Sequence, residues 1–164
     1  MKSRAGLKAG SPSARWLQRV FVALWLIPTG LLLGFCRLLI LVIPFSTLVA
    51  RIGRPIGAVA WVPLVTPSER RRAALVGQVV RAAAKRTPWT SNCFPQAVAA
   101  RLLLGIHRVP YVIHFGLARD PAAAKGFRAH AWVVAGRERV TGGNGFAEYR
   151  VVGAFAAASL VRPR

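Results

Sequence analysis

Hydrophobic and polar positions divide the chain into three regimes. From Val20 to Ala50 apolar residues run almost without a break, interrupted by Arg37 and punctuated by Pro28 and Pro44. From Ser68 to Arg86 they recur at helical spacing, with Leu75, Val76, Val79, Val80 and Ala83 on one face and the stem of Arg72 covering the same stripe. From Tyr111 onward they alternate: Tyr111, Ile113, Phe115 and Leu117 share one side of a strand, and His114, on the other side, reads as a structural residue. Ser68 is a good N-cap for the first of these helices, Glu69 suits its first turn, and Thr87-Pro88 ends it. A second helix is expected from Cys93. Thr90, Ser91 and Asn92 precede it as candidate caps, Pro95 is tolerated in its first turn, and Gly105 is the expected stop. Three further strands follow at Phe127–Val134, Glu138–Thr141 and Glu148–Val152, with Gly142-Gly143-Asn144-Gly145 as a tight loop. Helices first and an antiparallel run of strands afterwards give an α+β class, helices packed on a small antiparallel sheet.

These shifts set the expected boundaries. Residues 1–15 are a basic tail, 16–52 an apolar helical segment, 53–67 a Pro/Gly linker, 68–155 the folded domain and 156–164 a second tail. The apolar segment admits more than one reading. The stretch 20–43 is long enough to span a bilayer if Arg37 snorkels. Basic residues on both flanks, Arg15 and Arg19 before and Arg51 and Arg54 after, keep both ends on one side, which suits two shorter helices hinged near Pro28–Gly34 and dipping into the membrane or lying on it. A pair of greasy helices packed on the domain or on a partner protein is the third.

Charge narrows the partners. Lys and Arg number 24 against 4 acids in 164 residues, a net charge of +20, which favours an anionic partner. The apolar segment and the lack of interleaved aromatic and basic residues argue against nucleic acid. The basic face from Arg70, Arg71, Arg81, Lys85 and Arg86 is either solvated or a landing surface for anionic lipid or an acidic peptide. Two cysteines in unlike contexts, Cys36 in the apolar run and Cys93 at a polar helix start, do not suggest a disulfide and fit a reducing, cytoplasmic compartment. Glu69, Asp120, Glu138 and Glu148 form no carboxylate pair, and no CxxC or metal-ligand spacing occurs among His107, His114 and His130.

The chemistry therefore centres on Cys93. The thiolate is the nucleophile, and the positive end of a helix favours it. His130, in Phe127-Arg128-Ala129-His130-Ala131-Trp132-Val133-Val134, is the strand histidine that can relay its proton.

From Trp89 to Phe155 the sequence resembles the transglutaminase-like leader peptidases of lasso-peptide biosynthesis. The motifs are Pro88-Trp89 with Cys93-x-x-Gln96-Ala97, Gly116 after a hydrophobic strand, Ala129-His130-Ala131-Trp132-Val133, and Val140-Thr141-Gly142-Gly143. The resemblance implies a papain-like core and hydrolysis of one peptide bond, freeing the leader of a ribosomally made precursor. Cys93 attacks, His130 moves the proton, and the Cys93 amide is one oxyanion donor. Gln96 and Trp89 are candidates for a second donor or for shaping the site. Many relatives place an aspartate about twelve residues after the histidine. Here Arg139-Val140-Thr141-Gly142-Gly143-Asn144 contains no acid, so Asn144 or Thr141 is the candidate to orient the imidazole, and Glu138 sits at a hairpin tip. No cofactor is implied. The implied partners are the precursor peptide, a separate leader-recognition protein, a macrolactam cyclase and a membrane surface, at the cytoplasmic face. The alternatives are a catalytically degenerate peptide-binding scaffold of the same fold and an acyltransferase sharing the dyad.

Overall fold

Thr66-Pro67-Ser68-Glu69 shows how locally this chain sets its element boundaries. The computed structural model describes residues 12–50, 52–89, 91–123, 126–143 and 145–157. In it, helix α3 (Pro67–Ala84) is capped by Thr66 rather than Ser68. Thr66 Oγ1 accepts from the Glu69 amide, and the Glu69 carboxylate accepts from the Thr66 amide at 2.7 Å. This capping box, with proline at the first helical position, outcompetes the serine two residues on.

The other helices are α1 (Pro12–Val42), α2 (Phe45–Ala50) and α4 (Cys93–Ile106). Helix α1 is continuous through Pro28 and does not break into two at Pro28–Gly34. Gly34 serves close approach instead of a hinge: a Cβ on it would lie 2.8 Å from the Trp89 ring. Leu33 and Cys36 are sealed against α3 and α4, with Thr29 buried on the same side of the helix, and this packing holds the helix together. Helix α4 runs past Gly105. The chain leaves it through Arg108, at a left-handed φ of 52°, while the Val109 amide donates to the Leu104 carbonyl.

Strands β1 (Arg54–Gly57), β2 (Val112–Arg119), β3 (Phe127–Ala135), β4 (Glu138–Thr141) and β5 (Arg150–Ala156) form one sheet in the order β1-β5-β2-β3-β4, with every pairing antiparallel. Part of the expected linker is thus the edge strand β1, where Pro55 is tolerated. The last strand starts two residues later than expected and runs on to Ala156. It pairs with β2 rather than β4, after a short 3-10 turn at Gly145–Glu148.

One core lies between the helices and the sheet: Val76 and Val80 of α3, Ala97, Ala100 and Leu104 of α4, and Ile113, Ala131 and Val133 of the strands. The opposite face buries Val112, Trp132 and Val134 with Ala154 and Ala156. The basic face of α3 is partly engaged. Arg81 donates to the Val140 carbonyl at 2.9 Å, and Arg70 pairs with Glu138 at 2.7 Å.

His114 is packed within the sheet and does not line the cavity shared by Cys93 and His130. It is buried, stacked on Trp132 at 5.4 Å, and its Nε2 accepts from the Trp61 amide at 3.2 Å. Burial pushes its pKa below the ordinary histidine value. The unfolded chain then binds the proton more readily. His114 favours folding fully above about pH 6.5, and this is lost as pH falls through its lower folded value. The unfolding midpoint is expected to drop between neutral pH and about pH 5, with a shallower drop in His114→Asn. Thermal melts across that range check it; equal slopes would refute it.

Candidate active site

Helix α4 begins at Cys93 for local reasons. Asn92 takes the N-cap backbone conformation, but its side chain makes no capping bond. Pro95, third in the helix, has no amide, and the first helical bond runs from the Gln96 amide to the Asn92 carbonyl at 3.3 Å. The amides of Cys93 and Phe94 are therefore left at the positive end of the helix without a cap from Asn92. Thr90, another candidate cap, lies outside the described residues, and Ser91 Oγ is bonded to Thr87 Oγ1 at 3.1 Å.

Cys93 and His130 line the same cavity, of about 380 Å³. Cys93 and Phe94 bound it from α4, and Ala129, His130 and Ala131 bound it from β3. Its remaining walls are apolar. Phe94, Phe115 and Phe155 form an aromatic run with ring centroids 5.7 Å apart at each step. Val49 of α2 also lines it, so the N-terminal segment reaches the cavity, which no local pattern announced. The other cysteine is not a competing nucleophile: Cys36 is buried, and burial pushes its thiol up to about 11.

His130 is held from several sides. Its ring lies 5.9 Å from Trp132 and 4.9 Å from Tyr149. Arg128 sits 5.5 Å over Tyr149 and pairs with Glu148. Gly116 is directly opposite His130 across the β2–β3 ladder. A Cβ there would come within 2.8 Å of both Trp132 and Tyr149, so a glycine is what lets those rings close beside the histidine.

The orienting contact comes from the backbone. His130 Nε2 lies 2.8 Å from the carbonyl oxygen of Gly142, twelve residues on. A carbonyl only accepts, so Nε2 carries the proton and Nδ1 is left as the basic nitrogen. Gly142 has φ of 92°, and a Cβ on it would lie 2.3 Å from Trp132 Cβ and 3.2 Å from His130 Nε2. Only glycine brings its carbonyl this close.

Thr141 is buried with Oγ1 unpartnered among the described residues, paired across the ladder with Val133. Asn144 lies outside the described residues. Gln96 turns its amide back to the Ser91 carbonyl, donating one of its two N–H groups to it at 2.7 Å. Trp89 packs on α1 at Gly34 and does not line the cavity. Glu138, held by Arg70, does not reach the histidine.

A family model described as the transglutaminase-like superfamily matches residues 39–154, from the last turn of α1 to β5. No curated protein and no solved structure gives a significant match.

Proposed function

Because the chain belongs to the transglutaminase-like superfamily, which includes cysteine peptidases, we propose that it is the peptidase that removes the leader from a ribosomally made lasso-peptide precursor. The observation that carries this reading is a helix-tip cysteine and a strand histidine on one cavity, with the imidazole tied through Nε2 to Gly142 so that Nδ1 is free to take a proton.

In the proposed reaction His130 Nδ1 takes the Cys93 proton and the thiolate adds to the scissile carbonyl. The oxyanion is met by the Cys93 and Phe94 amides at the start of α4. As the C–N bond breaks, His130 returns its proton to the leaving amine, and a Cys93 thioester remains. Water then adds to the thioester while His130 takes its proton. Breaking the C–S bond releases the new carboxylate and regenerates the thiol. The freed core amine becomes available to a macrolactam cyclase. The leader is held by a separate recognition protein in the same cytoplasmic complex.

Mixing the purified protein with a precursor encoded nearby, with and without a leader-recognition protein, tests the proposal. Mass spectrometry is expected to find leader and core fragments summing to the precursor plus one water, and none with Cys93→Ala. An intact precursor in the presence of the recognition protein refutes the peptidase. A precursor bound but never cut supports the degenerate scaffold.

A further inference from the structure

The face of α1 turned away from the protein is unpartnered and wholly apolar. Leu24 is 71% exposed, Ile27 73%, Leu31 69% and Leu41 72%, with Phe35 and Leu38 more than half exposed. Taken at about 100° per residue, these positions fall in one sector centred on Leu31. Thr29, Leu33 and Cys36, all buried, lie on the opposite sector. Between Val20 and Pro44 the only charged residue is Arg37, and it is half-buried at the edge of the sector.

We infer that α1 lies in the plane of an anionic bilayer surface, apolar face down, and holds the domain there without crossing the membrane. Length and hydropathy alone permit a span over Trp16–Val42. Packing argues against it. The buried face of α1 is sealed onto α3 and α4, and α3 carries Arg70, Arg71, Arg72 and Arg81. A crossing helix would draw those arginines to membrane depth, at roughly 3 kcal/mol for each charge near the centre. Lying flat buries only the outward stripe and leaves the cations in water or at the headgroups.

Charge chooses lipid over a second copy. Eight Lys or Arg and no acid precede Glu69. Two α1 helices laid together would bring like charges into contact with no carboxylate from this segment to offset them, whereas an anionic surface complements them. Arg19 and Arg86 also line a cleft of about 490 Å³ between α1 and α3. Helix α2 follows α1 directly and supplies Val49 to the catalytic cavity, so a seated α1 keeps that cavity one short helix from the lipid.

The test uses the full chain carrying Cys93→Ala, so its outcome does not depend on peptidase activity. The protein is expected to float with vesicles of phosphatidylcholine and phosphatidylglycerol in a three-to-one ratio. Binding should be about tenfold weaker to phosphatidylcholine alone, and to the mixed vesicles after Leu24→Gln, Leu31→Gln and Leu38→Gln are combined. An unchanged melting curve shows that the combined variant is folded. In inverted membrane vesicles from the expressing cell, an impermeant maleimide should label both Ser13→Cys and Ser46→Cys. Labelling of one and not the other would establish a span and overturn the inference. So would absence of flotation together with a dimer that the three glutamines dissociate.

Discussion

Cys93→Ala is expected to lower precursor cleavage at least about a thousandfold while leaving the fold intact. The thiol is half-buried at the start of α4, beside a cavity rather than in the packed interior, so its loss should cost under about 1 kcal/mol of stability. Activity and stability therefore separate. His130→Ala should fall to a similar level, and the double variant should be no worse than the single ones, because nucleophile and base act as a unit. Iodoacetamide should modify Cys93 in the folded protein and spare Cys36, whose thiol is buried and held near 11. Single-turnover cleavage read by mass spectrometry, with thermal melts beside it, checks all three. Cleavage persisting in Cys93→Ala would remove the cysteine from the mechanism.

Gly142→Ala is expected to have the second largest effect, and Gly143→Ala is its control. Both glycines have positive φ, 92° and 64°. They differ in what a methyl group would meet. At Gly143 nothing lies within 4 Å; at Gly142 the methyl would collide with Trp132 and press on His130 Nε2. Gly143→Ala should cost about 1 kcal/mol, from backbone conformation alone. Gly142→Ala should cost about 3 kcal/mol, strain and overpacking together. Gly142 is a positioning residue, acting through His130, so stability alone does not test its role. Well below the melting temperature, Gly142→Ala should also lower kcat by about a hundredfold and displace the lower limb of the pH–rate profile, because the imidazole loses the acceptor that fixes its tautomer. Gly143→Ala should keep the wild-type profile. If the two variants had the same profile, the carbonyl would have no part in orienting the base.

What the His130 ring meets twelve residues on is a backbone carbonyl, an atom that residue identity does not advertise. Every residue has a carbonyl. What makes this one available is the space Gly142 leaves against Trp132, a relation between two strands. The side chains of Thr141 and Asn144 are visible in a sequence. The Gly142 carbonyl that lies between them along the chain, and that meets His130 among the described residues, is not. Gln96 shows how a visible side chain can also be drawn into local structure, donating one amide N–H to the loop preceding its own helix.

The sequence by itself determined what depends on near neighbours. The apolar stripe of α3, the start of α4 at Cys93 and the shared face of β2 are settled within a few residues, where backbone hydrogen bonding and side-chain periodicity act; the cap of α3 is as local, although it falls at Thr66 and not at the expected Ser68. So was the α+β class. Tertiary structure alone decided which strand β5 joins, because alternation tells a strand which face to bury and not which edge to pair. It decided which half of α1 is covered, since hydropathy records how apolar a helix is and not where its partners lie. It brought Val49, Cys93, Phe155 and His130 around one cavity, residues far apart in the chain whose meeting depends on how the helices pack over the sheet.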